Sequence, residues 1–152
     1  MDYPAAGFLR RFAALVLDVL ILDIAGTLIT YPVQKQFDIQ IDEVLNLLKM
    51  GHAPSQSFIL FLLIYSVIVT ILWGFYFTFF IGYNGQTPGK KLLRLRVERE
   101  DGSPVNYATA FNRFVGYSLS GGIFFVGFLW ALWDKEKRTW HDKMAHTRVV
   151  KL

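Results

Sequence analysis

The chain has 152 residues, 53% of them hydrophobic and 16% aromatic, with a mean hydropathy of +0.35. This is unlike an average soluble domain and fits an integral membrane protein. In such a chain the net charge of +4 reports topology and contact with anionic lipid rather than nucleic acid. The absence of cysteine excludes disulfides, thiolate nucleophiles and thiolate metal sites.

One membrane domain over residues 1–152 is expected, and so few spans would make a thin bundle that self-associates or recruits a membrane partner. Arg10-Arg11 lead into the first apolar run, residues 12–29, which is interrupted only by Asp18 and Asp23. The run resembles a signal peptide ending at Ala25-Gly26-Thr27, but two aspartates inside it argue for a retained span. Ionisable groups at bilayer depth persist when they face a protein interior, a partner charge or water, so Asp18 is a candidate functional residue. Arg11 and Asp18 lie seven residues apart, nearly two helical turns, and share a face about 10 Å apart along the axis. Arg11 can reach part of the way towards Asp18; alternatively, Arg10 and Arg11 snorkel as topology anchors. Asp18 either accepts hydrogen bonds from another helix or handles a proton or cation. Asp23 lies about 140° around the helix from Asp18 and is a secondary candidate.

Residues 31–57 form a polar connection with Asp38, Asp42 and Glu43 against Lys35 and Lys49, and 41–48 have the spacing of a short interfacial helix. Residues 58–81 are 24 uncharged positions, the length of a membrane span, and Trp73, Tyr76 and Tyr83 crowd their end like an aromatic belt. A basic segment follows at 82–100. Its Gly85-Gln86-Thr87-Pro88-Gly89-Lys90-Lys91 lacks the spacing and the helix of a phosphate loop, which argues against nucleotide binding. Residues 92–98 and 147–152 read as short strands, the first closed by Asp101-Gly102-Ser103-Pro104, and their pairing predicts a small β-hairpin-like element.

Lysine and arginine near the span ends place the N-terminus and 82–100 in the cytoplasm and 31–57 outside. The third apolar region, 108–133, then poses a conflict. A full span would export a tail carrying Lys135, Lys137, Arg138, Lys143, Arg148 and Lys151. Ser120-Gly121-Gly122 divides the region into halves of about 17 Å of helix each, half a bilayer, so a re-entrant helical hairpin is predicted, with a third full span as the alternative. Arg113, in the first arm, is a candidate counter-charge for Asp18 or a snorkelling anchor. Arg138-Thr139-Trp140-His141-Asp142 sets an acid beside an imidazole, with Asp142 expected to cap a helix or bind a basic neighbour. Neighbouring helical positions point about 100° apart, so this is no catalytic couple. Neither metal-ligand spacing, nor a nucleophile–base pair, nor a cofactor motif, nor an internal repeat is read from the sequence, and no enzyme activity is expected.

Taken together, Arg11, Asp18, the 85–92 segment, Leu95-Arg96-Val97, Asp101-Gly102, Arg113 and Arg138-Thr139-Trp140-His141-Asp142-Lys143-Met144-Ala145 resemble the RDD family of small bacterial membrane proteins. The resemblance covers nearly the whole chain. It implies a small multi-pass protein of the bacterial cytoplasmic membrane, and the positive residues with the re-entrant hairpin would put both termini inside. The family is named for one arginine and two aspartates; Arg11 and Asp18 match two of them, and Asp142, with Asp23 as competitor, matches the third. A small residue, usually glycine, is expected after Ala145, where this chain has His146. The family resemblance also implies transport of a small ligand, some members being associated with sodium/proton exchange. A carboxylate that alternates between an arginine-bound anion and a protonated acid has chemistry for that exchange. The chain shows no inverted repeat, so oligomerisation would have to create the pathway. The alternative is a non-transporting scaffold or accessory subunit in which Arg11, Asp18 and Asp142 form a polar lock.

Overall fold

The computed structural model describes residues 3–36, 55–122 and 126–152. The helix expected at 41–48 lies outside the described residues. The chain divides into two compact parts, Met1–Ile21 with Gly74–Leu152, and Leu22–Trp73.

Two long helices, α1 (Phe8–Gln36) and α2 (Gln56–Asn84), have 29 residues each. Both are long and apolar enough to cross a membrane. They overrun the expected 12–29 and 58–81 because helix continues into polar flanks that the hydropathy pattern does not count, and α1 carries Pro32 in its interior. Leu9, Phe12, Val16 and Leu20 of α1, and Leu62, Leu63, Val67 and Ile71 of α2, are exposed, a surface suited to acyl chains.

In the smaller part, Gly26 lets the Leu72 side chain approach to ordinary contact distance. Thr30 donates to the Gly26 carbonyl at 2.7 Å, so its buried hydroxyl is satisfied by its own helix. The Phe61 ring packs against Phe58 and Tyr65.

The larger part adds α3 (Pro88–Leu92), β1 (Leu95–Arg99), α4 (Tyr107–Gly122), α5 (Val126–Leu129), a 3-10 turn (Trp130–Leu132), α6 (Trp140–Met144) and β2 (Thr147–Lys151). The strands pair antiparallel from Leu95↔Lys151 to Arg99↔Thr147 and bury Leu95, Val97, Val149 and Val150. The N-terminal leader lies against β2, with Ala6 donating to the Val149 carbonyl at 2.9 Å and Lys151 donating to that of Pro4 at 3.0 Å. These strands are not a hairpin, because α4, α5 and α6 intervene. The first strand also begins at Leu95 rather than Leu92, since Pro88–Leu92 is helical and Arg94 turns the chain at φ 55°. The 85–91 segment therefore does carry a one-turn helix, although its spacing is still not that of a phosphate loop.

α4 buries Ala110, Arg113, Gly116 and Ser120, one stripe at intervals of three and four. At the predicted break, Ser120-Gly121-Gly122, α4 continues to its last residue, Gly122. In the described part of the second arm, from Val126 on, α5 has four residues and passes into the 3-10 turn. α5 packs back on α4, where a Cβ on Gly127 would lie 2.3 Å from Ser120 Oγ and the rings of Tyr117 and Phe128 stack at 5.8 Å. Among the described residues two helices, and not α4, meet the length and hydropathy of a span.

A repeat in shape emerges that the sequence reading missed. α3–β1 and α6–β2 each begin at a threonine N-cap, Thr87 and Thr139, and run through five helical residues to a C-cap, Leu93 and Ala145. Each then turns through a left-handed residue, Arg94 (φ 55°) and His146 (φ 50°), into its strand. From Thr87 to Leu95 and from Thr139 to Thr147, only the threonine and Lys91/Lys143 coincide, which is too little to betray a repeat. His146 adopts the conformation for which glycine was expected, so the turn forms without it.

Candidate functional site: two buried carboxylates

The helix α6 presents Asp142 to two guanidiniums. Arg11 Nη1 donates to Oδ2 at 2.7 Å and Arg113 Nη1 donates to Oδ1 at 2.6 Å. The carboxylate and Arg113 are fully buried, and the Arg11 side chain is 10% exposed. The Thr139 backbone N–H, an orphan donor at the start of α6, adds a third bond to Oδ2 at 3.1 Å. Asp142 thus both caps its helix and binds basic groups. The arginines are held in turn. Arg11 Nε donates to the Ala6 carbonyl at 3.0 Å and Nη2 to that of Val149 at 3.2 Å, while Arg113 also donates to Thr147 Oγ1 and lies near Tyr117 Oη. Burial alone would raise the Asp142 pKa, but Arg113, Arg11 and the Thr139 N–H together hold it well below the usual carboxylate range.

Asp18 occupies a second, separate cluster. Tyr76 Oη and the Gly89 N–H each donate to Oδ1 at 2.8 Å, and Thr87 Oγ1 donates to Oδ2 at 2.5 Å. Lys90 Nζ stands 3.9 Å from Oδ2. The local sequence explains this. Gly85 makes the turn at φ +75°, Thr87 caps α3 and Pro88 opens it with φ already set. Gly89 then brings bare backbone against α1; a Cβ there would sit 2.3 Å from the Ala14 carbonyl oxygen. The 85–90 segment is a loop that grips an aspartate.

The sequence candidates therefore separate. Arg11, Arg113 and Asp142 come together, with His141 beside them. Asp18 pairs with neither arginine, contrary to the expected Arg11–Asp18 and Arg113–Asp18 links, because both guanidiniums are committed to Asp142. Asp23 is exposed on α1 and joins neither cluster. Sequence reasoning missed Lys90, Thr87, Gly89 and Tyr76; the lysine was counted as topology and the tyrosine as interfacial belt. Among the described residues no three His, Asp or Glu groups converge as metal ligands.

A cavity of about 210 Å³ lies at this end, lined by Arg11, Lys90, Arg113 and His141 together with apolar side chains. The His141 ring is 5% exposed, edge-on to Tyr117 at 4.2 Å, with Nε2 bonded to Thr139 Oγ1 at 2.7 Å. Gly116 admits it, since a Cβ there would lie 2.7 Å from His141 Cβ. Burial pushes the imidazole well below its ordinary pKa; Arg113, Lys90 and Arg11 push the same way and Asp142 opposes them. The folded protein keeps His141 neutral where the unfolded chain, with a pKa near 6.5, takes up a proton, so stability falls as pH drops below about 6.5. Between pH 6.5 and 5 the unfolding free energy is expected to decline with a slope approaching 1.4 kcal/mol per pH unit, roughly one proton. Denaturant unfolding in detergent at several pH values checks this. The slope should vanish in His141→Gln; a slope that persists there places the titration elsewhere.

A family model described as the RDD family matches residues 5–146. The chain is similar to protein YxaI of Bacillus subtilis (strain 168), 29% identical over 161 residues and covering 99% of both chains. It is also similar to YckC of the same strain, 28% identical over 155 residues, 97% of this chain and 85% of that one. A shorter match, 34% over 70 residues, covers 45% of this chain and 29% of a proline-rich antigen homolog of Mycobacterium tuberculosis (strain ATCC 25618 / H37Rv). No solved structure matches.

Proposed function

Because the chain belongs to the RDD family, we propose that it works in the bacterial cytoplasmic membrane as a non-transporting scaffold or accessory subunit whose buried polar residues are structural locks. One observation carries this reading: each carboxylate is saturated by fixed donors. Asp142 is held by Arg11, Arg113 and Thr139, and Asp18 by Tyr76, Thr87 and Gly89. A carrier has to release such contacts in every cycle, and removing one partner of a buried charge pair leaves the other uncompensated at several kcal/mol. The first lock ties α1 to α4 and α6; the second ties α1 to the 85–90 loop.

The pairing of β1 with β2 supports a re-entrant path for 108–133, because two strands of one sheet sit on one side of the bilayer. The distribution of positive residues supports a cytoplasmic location for that side and for both termini. The 16-residue α4 would be about 24 Å long, short of a full crossing. A second copy or a membrane partner then covers the exposed faces of so thin a bundle.

A second reading, exchange of a monovalent cation for a proton, draws support from Lys90. Its ammonium is buried yet stands 3.9 Å from Asp18 Oδ2, a pair that a bound cation or proton is able to loosen. The purified protein in liposomes, with sodium or lithium set against a proton gradient, separates the two. The lock reading expects no movement above empty liposomes, and reduced assembly in Asp18→Asn. Cation movement that disappears in Asp18→Asn while the folded protein survives overturns it in favour of exchange.

A further inference from the structure

The cavity beside the Asp142 cluster does not balance its charge. Arg11, Lys90 and Arg113 bring three cations to its wall, and Asp142 and Asp18, the carboxylates within 4 Å of them, supply two negative charges. Of the other lining groups that can ionise, His141 is held neutral by burial and Tyr117 is a phenol whose hydroxyl lies 3.5 Å from Arg113 Nη2. The surplus is one positive charge.

Donors are left over as well. Arg113 Nε is buried and has no hydrogen-bond partner among the described residues. Lys90 Nζ is 3.9 Å from its carboxylate, beyond hydrogen-bond distance, and lies 5.8 Å from the Phe77 ring centre; Lys90 is 5% exposed. A buried unpaired donor costs free energy, and Arg113 Nε, with the Lys90 ammonium at the same cavity, marks the place of an acceptor. Apart from Thr139 and Tyr117 the remainder of the wall is apolar, with Phe8, Phe12, Leu15, Phe128 and Leu129 among it. Two of these reach the protein surface, with Phe12 54% and Leu129 38% exposed. The cavity thus joins a cationic interior to a greasy rim, the inverse of a site for a metal ion or a free hydrophilic anion.

We propose that this cavity binds the phosphodiester of an acidic membrane lipid, whose acyl chains leave past Phe12 and Leu129 into the bilayer. A phosphodiester monoanion neutralises the single surplus charge, and its oxygens accept from Lys90 Nζ and Arg113 Nε. A volume of about 210 Å³, roughly that of seven waters, takes a phosphate with its glycerol carbons and leaves the chains outside. A zwitterionic headgroup brings its own cation into a site already positive and is disfavoured. The proposal goes beyond the lock reading and does not depend on it, because binding is measured directly on the intact chain whatever the cost of breaking Asp142 or Asp18.

Native mass spectrometry of the full chain from neutral detergent tests it, with palmitoyl-oleoyl phosphatidylglycerol, the matched phosphatidylcholine and glycerol 3-phosphate as probes. The expected result is one phosphatidylglycerol per chain, bound at least about tenfold more tightly than either of the others. Lys90→Met should bring it to the level of phosphatidylcholine, whereas Lys91→Ala, an exposed neighbour, should leave it unchanged. Leu129→Trp, which fills the cavity from its rim and keeps every charge, should also abolish the preference and decides the matter if Lys90→Met fails to fold. Equal binding of the two lipids, tight binding of glycerol 3-phosphate, full retention in Leu129→Trp, or a loss in Lys91→Ala as large as in Lys90→Met each overturns the proposal.

Discussion

Asp142→Ala is expected to destabilise the chain by about 3–5 kcal/mol, enough to lose the folded state of a small domain. The side chain removed is the shared anion of two guanidiniums at 2.7 and 2.6 Å, of which Arg113 is wholly buried. Without it two positive charges face each other at the end of α6, and the Thr139 N–H loses its acceptor as well. Asp142→Asn should fall between wild type and alanine, since an amide oxygen still accepts from Thr139 but carries no charge. Chemical unfolding in detergent micelles gives the measurement, and an alanine variant within 1 kcal/mol of wild type refutes the assignment. The pH dependence has a definite sign. A depressed carboxyl contributes stability that is complete above its unfolded-state pKa of about 3.9 and is lost as pH falls below that towards the folded value. Asp142 therefore adds no slope between pH 5 and 8, the range in which His141 acts.

Gly89→Ala is the second large effect, expected at about 3 kcal/mol, the upper end for overpacking a tight contact. The added Cβ would meet the Ala14 carbonyl oxygen at 2.3 Å and Asp18 Oδ1 at 2.8 Å. The first is backbone of α1 and has no rotamer to escape into, so α3 has to move away, taking the Gly89 N–H off Asp18. Gly102→Ala is the control. It sits at φ +80° with open space around its Cβ position, so only the left-handed backbone preference is charged, about 1 kcal/mol. Equal losses in the two variants, read by thermal unfolding, would show that the close approach of α3 to α1 is unimportant.

These effects turn on residues that the sequence revealed unevenly. Charges inside or beside apolar runs stand out by their solvation cost, and so Arg11, Asp18, Arg113 and Asp142 were all legible as candidates. Their partners were not. Helical periodicity puts Arg11 and Asp18 on one face, but Arg11 instead reaches Asp142, 131 residues away, since a charge pairs with whatever the tertiary fold brings within about 3 Å. Lys90 was indistinguishable from its exposed neighbour Lys91 until the turn at Gly85 and the cap at Thr87 fixed its direction. The strands could be read from alternation, but their start could not, because Arg94 takes a left-handed conformation without glycine. The Gly121-Gly122 pair marked the end of α4 to within a residue or two, since glycine lets a helix stop without fixing where. The matching α3–β1 and α6–β2 units were hidden because shape was kept by threonine caps and backbone turns, with almost no shared side chains.

A double-mutant cycle between Arg113→Met and Asp142→Leu, followed by unfolding free energy in the same detergent, bears most directly on the lock. Asp142→Leu strands the wholly buried Arg113, and Arg113→Met leaves Asp142 to Arg11 alone. The pair removes both of these charges, so the double variant is expected to lose at least about 2 kcal/mol less than the sum of the singles. Simple additivity of the two losses would contradict a charge pair holding α4 to α6.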